Sequence, residues 1–204
     1  MEIRRIDGYT DSRFSPSVLN QHGAYLLGGE PYQIEIMATG RAVVRGKEPA
    51  KYPALIEAFR FHAPHITAFF DENGGRIASY PEPEILDLPM DRIQPSQFFI
   101  DEDKLKAVRT FVRRPEDIVI QVIPDGDRYI SLDGHTRLYL AVLSHFCRIK
   151  AVQSETDEWI WTFVQEAERR GIRSPKDMIL LPHEQYERQW NQYCDRVFAS
   201  GQKS

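Results

Sequence analysis

The sequence predicts an α/β fold of the α+β kind, built on a mixed sheet, with a β-rich N-terminal segment and a helical C-terminal segment. Short β-branched or alternating apolar runs dominate the first part of the chain, and strand-like and helix-like runs alternate in the middle. The last part carries mainly helical patterns. These observations predict a β-rich segment 1–84, an α/β domain 85–153 and a helical subdomain 154–204.

Composition places the chain among soluble globular proteins. It has 204 residues, 42% of them hydrophobic and 27% charged, which is enough to bury a core without disulfide bonds. The net charge of −4 gives no overall basic character of the kind that nucleic-acid binding favours. Cys147 and Cys194 lack disulfide or metal spacing, and no signal-like or membrane-spanning run occurs. We therefore expect a cytoplasmic protein with reduced thiols and no membrane partner.

The N-terminal segment has few helical signals. Residues 1–25 predict an irregular or extended lead-in, and residues 26–80 predict strands. The Asn73-Gly74 pair between two apolar runs predicts a hairpin, because both residues tolerate positive φ. Residues 53–61 fit a strand or a helix, and their β-rich surroundings favour a strand. The proline-rich residues 80–89 predict a stiff connector and a boundary between modules.

Helix and strand patterns alternate after that boundary. Asp101 is the predicted N-cap of a helix that places Leu105, Val108 and Val112 on one face. Two strands follow, and a helix that opens at His135 leads into a third strand. This order predicts a βαβ-like crossover on a partly parallel sheet.

The C-terminal segment reads as helices. Thr156 or Ser154 is the predicted cap of a helix that Gly171 ends. Ser174-Pro175 then begins a short helix, and the last helix carries a stripe formed by Tyr186, Trp190, Tyr193 and Val197. Aromatic residues at this spacing favour core packing over a base-stacking surface.

The stretch "YISLDGHTRLYLAV", residues 129–142, joins a strand to a helix through a corner rich in polar groups. Free backbone N–H groups and the helix dipole make such a helix start attractive to anions, phosphates above all. Gly134 allows close approach to the backbone, and His135, Thr136 and Arg137 lie in the first turn. Arginine binds phosphate with two parallel hydrogen bonds, histidine supplies a hydrogen bond or a proton, and threonine supplies a hydroxyl.

Asp133 ends the strand and adds a negative charge to this corner. Beside a phosphate, this carboxylate would hold Mg²⁺ or act as a base toward a hydroxyl group. A purely structural reading stays open for the same residues. In it, Asp133 caps the helix, Gly134 meets a backbone requirement and Arg137 pairs with Asp133 or a surface acid.

The residues from Leu88 to Val152 resemble the ParB N-terminal/sulfiredoxin superfamily. The resemblance rests on the "LPMDRIQPSQ" strand and turn, a helix, a strand, the "DGHTR" corner opening a second helix, and a further strand. It implies the fold of that superfamily and a nucleotide held at the corner. The whole chain also resembles a group of bacterial ParB-like proteins without an assigned activity.

Members of the superfamily differ in function, and each functional group has its own motif at the corner. We compare the residues of this chain with each motif in turn. Sulfiredoxins carry a cysteine in a GCHR corner, where this chain has His135, so sulfinic-acid repair is excluded. Free-serine kinases carry DGHHR and an upstream glutamate, where this chain has Thr136 and Gln97. CTP-binding ParB proteins carry GxxR, and the spacing of Gly134 and Arg137 fits it.

These observations predict a nucleotide-binding protein that holds ATP, ADP or CTP together with Mg²⁺. If it is an enzyme, the predicted reaction is phosphoryl transfer to a small hydroxyl compound or nucleotide hydrolysis. Asp133 and His135 are the predicted catalytic residues, and Asp133 is also the predicted metal ligand. The predicted nucleotide contacts are Gly134, Thr136, Arg137, Pro95, Ser96 and Gln97.

Two further interpretations stay open. One is a DNA- or partner-binding module of ParB type without catalysis, in which a nucleotide acts as a switch. The other is an accessory protein that acts through protein contacts alone, for which exposed apolar surface on the C-terminal helices would be evidence. The sequence leaves the oligomeric state open.

Overall fold

A computed structural model describes residues 2–201 and divides the chain into two units, Met1–Pro83 and Glu84–Ser204. Each unit combines helices with a mixed sheet, so the predicted α+β class is confirmed at that level. The division falls one residue before the predicted boundary at residues 84/85. The predicted separation at residues 153/154 is absent from this division, because both predicted segments belong to the second unit.

The first unit is a six-stranded sheet in the order β1-β2-β3-β4-β5-β6. Only the β4–β5 pair is parallel among its described pairings, and the other neighbours are antiparallel. The strands are β1 (Ile3–Arg5), β2 (Ala24–Leu27), β3 (Glu30–Ala38), β4 (Arg41–Gly46), β5 (Ala68–Phe70) and β6 (Arg76–Ser79), and the helices are α1 (Pro16–Asn20) and α2 (Tyr52–Arg60).

Helix α2 lies where the sequence favoured a strand, so that prediction was wrong. Tyr52, Leu55, Ile56 and Phe59 are buried, and their spacing is that of one helical face. The helix also provides the crossover that the parallel β4–β5 pair requires. The irregular or extended lead-in predicted for residues 1–25 was wrong in part, since it contains helix α1 in addition to β1 and the first two residues of β2.

The hairpin predicted at Asn73-Gly74 is confirmed, since it joins the antiparallel pair β5–β6. Gly74 has φ +81°, a left-handed conformation that glycine adopts without strain. The Asp71 carboxylate accepts hydrogen bonds from the backbone N–H groups of Asn73 and Gly75, both at 2.8 Å. These bonds hold the turn closed.

The second unit contains a five-stranded mixed sheet in the order β7-β12-β10-β11-β8 and a separate parallel pair, β9–β13. Its strands are β7 (Ile85–Pro89), β8 (Ile93–Pro95), β9 (Phe99–Asp101), β10 (Val119–Asp125), β11 (Arg128–Asp133), β12 (Arg148–Gln153) and β13 (Ile179–Leu181). Its helices are α3 (Glu102–Val108), α4 (His135–Leu143), α5 (Ile160–Arg169), α6 (His183–Tyr186) and α7 (Gln192–Gly201), with a π-helical segment at Glu187–Asn191.

The partly parallel sheet is confirmed, but the predicted crossover needs correction. Helix α4 connects β11 to β12, and both strands lie beside β10. Because β10 is antiparallel to β11 and parallel to β12, the two strands that α4 connects run in opposite directions. The parallel neighbours are β10 with β12 and β8 with β11.

One hydrophobic core runs through the second unit. It contains Ile120 and Leu138 from the predicted α/β domain and Phe163, Tyr186 and Trp190 from the predicted helical subdomain. The C-terminal helices therefore complete this core. The packing role predicted for the aromatic stripe is confirmed, because Tyr193 and Val197 also pack against it.

Two local predictions in this unit differ from the structure. The proline-rich connector ends in β7, which pairs antiparallel with β12. Helix α5 begins at Ile160 after a turn at residues 157–159, so neither Thr156 nor Ser154 is its N-cap. The N-cap of α3 is confirmed, since Asp101 accepts a hydrogen bond from the N–H of Asp103 at 2.9 Å. Among the described residues, no helix combines the length and hydropathy that crossing a membrane requires.

Candidate functional site

The predicted corner lies at the junction of β11 and α4. Gly134 precedes the helix with φ +85° and ψ 19°, in the left-handed region. A Cβ atom at this position would lie 2.6 Å from Cγ2 of Ile120 and 3.0 Å from Nη2 of Arg137. Both the backbone conformation and the available space therefore require glycine here.

The Arg137 side chain folds back over the start of its own helix. Its Nη1 donates a 2.5 Å hydrogen bond to the carbonyl oxygen of Val119 in β10, and its Nη2 lies 3.6 Å from Oδ2 of Asp133. The guanidinium thus takes the space in front of Gly134. An anion at this corner would contact the Arg137 cation before it reached the glycine backbone. These contacts also agree with two parts of the purely structural interpretation. In that interpretation, the backbone conformation requires glycine at position 134, and Arg137 pairs with Asp133.

His135 is buried at the first position of α4, with 6% of its surface exposed. Its Nε2 lies 3.1 Å from Oγ of Ser96 and 3.0 Å from Oγ of Ser131. Ser96 Oγ donates its own hydrogen to the carbonyl oxygen of Ser131 at 2.7 Å, so toward the histidine it acts as an acceptor. This network assigns the proton of the neutral ring to Nε2.

The pKa of His135 is lowered from 6.5 to about 4, mainly by burial and to a lesser extent by the Arg137 charge, against the opposing effects of Asp133 and Ser131. The ring is therefore neutral near pH 7. A general base acts best when its pKa lies near the working pH. The burial of His135 therefore favours a role as a neutral hydrogen-bonding group. It does not favour the proton transfer that the sequence predicted.

The predicted opposite wall, residues 95–97, consists of the last residue of β8 and the two residues after it. Pro95 is buried and pairs with Ser131 across the parallel β8–β11 ladder, and Ser96 contacts His135 directly. Gln97 turns toward the C-terminal part of the unit. Its Nε2 donates to the carbonyl oxygen of Phe99 at 2.5 Å and to the hydroxyl of Tyr186 at 3.3 Å.

A cleft of about 160 Å³ opens beside the His135 end of α4. Three residues that the sequence predicted for the site line it, namely Ser96, Gln97 and His135. The remaining lining residues are apolar or aromatic and come mainly from the C-terminal helices: Leu132, Trp159, Ile160, Phe163, Trp190, Cys194 and Phe198. Five predicted residues lie outside this lining: Pro95, Asp133, Gly134, Thr136 and Arg137.

Two aromatic residues of the cleft, Trp159 and Phe198, were missed by the sequence analysis. They are 42% and 46% exposed, and their ring centroids lie 5.4 Å apart. A signal for Trp159 exists in "DEWIW", because Trp159 and Trp161 stand two positions apart and point to different faces of a helical turn. At least one of the two indoles therefore had to remain near the surface.

A second group of ionisable side chains lies at the start of α3. Asp101, Asp103 and His183 place one potential ligand atom each within 4.8 Å of one another. His183 Nδ1 donates to Oδ2 of Asp101 at 2.8 Å, which raises the pKa of His183, and Lys106 binds Asp103 at 2.9 Å. Protein partners engage both carboxylates, and the hydrogen bond between His183 and Asp101 joins α6 to the start of α3.

Comparisons with known proteins identify no family. No protein-family model matches the chain, and no curated protein matches it. One similar solved structure is protein Atu1540 from Agrobacterium tumefaciens, with 13% sequence identity and a TM-score of 0.35. The match covers 48% of this chain and 62% of that one, so it spans less than two thirds of Atu1540. A likeness this weak carries no argument about fold or function.

Proposed function

We propose that this protein binds a nucleotide, with the phosphate groups at the start of α4 beside Arg137. The observation that carries the proposal is the position of the guanidinium. Its contacts with Val119 and Asp133 hold it at the positive end of the helix. A fixed guanidinium can form paired charge-assisted hydrogen bonds with a phosphate without first losing side-chain freedom.

Neighbouring groups fit the same ligand. The Thr136 hydroxyl lies in the first turn, and Asp133 is partly exposed at the end of β11. A carboxylate beside bound phosphates is a suitable ligand for Mg²⁺, and it can also accept a proton from a hydroxyl substrate. If the protein is an enzyme, these residues favour phosphoryl transfer to a small hydroxyl compound or nucleotide hydrolysis, with Asp133 as the acting carboxylate. Membership of the ParB/sulfiredoxin-like superfamily and a cytoplasmic location belong to the same proposal.

Calorimetric titration with ATP, ADP and CTP in the presence of Mg²⁺ tests the proposal. We expect Arg137→Gln to weaken binding by about 10- to 100-fold, the scale of a lost hydrogen bond to a charged group. Arg109→Gln makes the same charge change at an exposed residue just after α3 and should leave binding unchanged. Equal binding by both variants, or no binding by the wild type, would contradict the proposal.

A partner-binding module without catalysis is the second candidate. The observation that favours it is the exposure of large apolar side chains on the C-terminal part of the chain, among them Trp159, Trp161, Ile179 and Phe198. Sedimentation at increasing concentration tests self-association. DNA binding, the less favoured variant, should weaken steeply with salt if several phosphates are neutralised. If the protein stays monomeric at every concentration, self-association is excluded. If it binds no DNA at low salt, DNA binding is excluded.

A further inference from the structure

The cleft beside α4 has two chemically different sides. Ser96, Gln97 and His135 form a polar side, and aromatic residues from the C-terminal helices form the other. Ligand sites commonly combine apolar walls with a few converging polar groups. Trp190 belongs to the π-helical segment Glu187–Asn191, and such interruptions often occur at functional sites.

The volume of the cleft limits what it can hold. Sites for drug-sized ligands measure about 300–1,000 Å³, whereas this cleft measures about 160 Å³. It is therefore too small for a whole nucleotide and has room for a single ring system. The rest of a larger ligand would lie outside, toward the surface.

The aromatic side favours a flat ligand. Trp159 and Phe198 line the cleft, and they are 42% and 46% exposed although they are large aromatic residues. Covering such faces with a planar ring removes apolar surface from water and adds stacking between aromatic rings.

The polar side offers acceptors more readily than donors. Both amide hydrogens of Gln97 are engaged, by Phe99 and Tyr186, which leaves its Oε1 to accept. The hydroxyl hydrogen of Ser96 is engaged by the Ser131 carbonyl, and the Nε2 proton of His135 lies between two serine oxygens. A base that presents an exocyclic amino group to these acceptors therefore fits this side better than one that presents a carbonyl oxygen at the same position.

We infer that the cleft holds one planar nitrogen heterocycle with an amino group, an adenine- or cytosine-like base, against Trp159 and Phe198 and with Gln97 Oε1 as acceptor. This inference rests on the proposed function, because it assigns the base of the same nucleotide whose phosphates would bind beside Arg137. His135 connects the cleft with the proposed phosphate site, since its ring lines the cleft and its backbone begins α4.

Binding measurements on the full chain can separate base from phosphate. The probes are ATP and CTP, adenosine and cytidine without phosphate, inorganic tripolyphosphate without a base, and inosine and uridine triphosphates, in which a carbonyl replaces the amino group. We expect Trp159→Ala and Phe198→Ala to weaken ATP and CTP by about 10-fold and to leave tripolyphosphate unchanged. Trp161→Ala is the matched control, because Trp161 is 39% exposed and lies outside the lining of the cleft. Inosine and uridine triphosphates should bind more weakly than their amino counterparts.

Each other outcome has a separate meaning. If ATP binds no tighter than tripolyphosphate, or if Trp159→Ala acts like Trp161→Ala, the inference is overturned and the proposed phosphate site stands. If adenosine binds through Trp159 but ATP binds no tighter than adenosine, the cleft is supported and the proposed function is overturned. If no probe binds, both are overturned. Thermal unfolding of each variant, matched to the wild type, ensures that lost binding is not lost folding.

Discussion

The guanidinium of Arg137 and the carboxylate of Asp133 face each other across the start of α4, with Nη2 and Oδ2 3.6 Å apart. Gly134 lies against the guanidinium, and its missing side chain makes room for it. Strand end, glycine and arginine thus form one packed unit. This packing leads to predictions on stability that do not depend on any ligand.

Replacing Gly134 with alanine should destabilise the second unit strongly. The change combines a left-handed backbone with a contact of 2.6 Å to Ile120. We expect a loss of about 2–5 kcal/mol in the free energy of unfolding, from backbone strain and overpacking together. Gly126→Ala is a matched control, because Gly126 also has positive φ (+59°) but open space around it. It should cost about 1 kcal/mol. Equal losses in urea denaturation would show that the space at Gly134 is not restricted.

Removing the Ser96 hydroxyl should also destabilise the second unit. Ser96→Ala takes the donor from the Ser131 carbonyl oxygen and one acceptor from His135 Nε2, both in a buried place. Leaving buried polar groups unsatisfied costs about 1–3 kcal/mol. Denaturant unfolding of Ser96→Ala measures the change. A variant as stable as the wild type would mean that the network contributes nothing to the fold.

His135 should make stability fall in moderately acid solution. Its pKa is lowered from 6.5 to about 4 in the folded chain, mainly by burial. In the unfolded chain, His135 therefore becomes protonated as the pH falls below 6.5, whereas in the folded chain it stays neutral down to about pH 4. This contribution to stability is complete above pH 6.5, decreases as the pH falls and levels off near pH 4, after a loss of about 3 kcal/mol.

The variant His135→Gln checks this prediction, because an amide cannot titrate. The difference in unfolding free energy between the wild type and this variant should change with pH between 6.5 and about 4 and stay constant above 6.5. A difference that stays constant over the whole range would show that the imidazole is open to protonation by solvent.

His183 should have the opposite pH dependence. Its hydrogen bond to Asp101 raises its pKa in the folded chain above the ordinary value of 6.5. The stabilising contribution is therefore fully present below pH 6.5 and is lost as the pH rises through the raised pKa. We expect His183→Gln to lower stability at about pH 5.5 and to have a smaller effect at about pH 9. An effect that grows toward alkaline pH would contradict the ion pair.

The sequence predicted correctly those features that depend on interactions between residues close together in the chain. The Asp101 cap and the buried face formed by Leu105, Val108 and Val112 follow from positions within one helix. Helix α2 was predicted as a strand because, over so short a run, its apolar residues fit the period of a helix as well as that of a strand. Only the parallel pairing of β4 with β5, which the sequence does not show, requires a helix there.

The candidate site was predicted in part for similar reasons. The sequence placed residues 95–97 on the wall opposite the corner, whereas the direct contact between Ser96 and His135 appears only in the structure. The fold of Arg137 over Gly134 depends on a carbonyl oxygen of another strand, that of Val119, and no pattern near residue 137 indicates it. Trp159 and Phe198 meet only because α5 and α7 pack together, so the aromatic cleft could not be read from either segment alone.

A structure determined with a nucleotide and Mg²⁺ bound tests the central claim most directly. The account predicts phosphate oxygens within hydrogen-bond distance of the Arg137 guanidinium and the first turn of α4, with Mg²⁺ beside Asp133. Phosphates bound at any other place on the chain would contradict it.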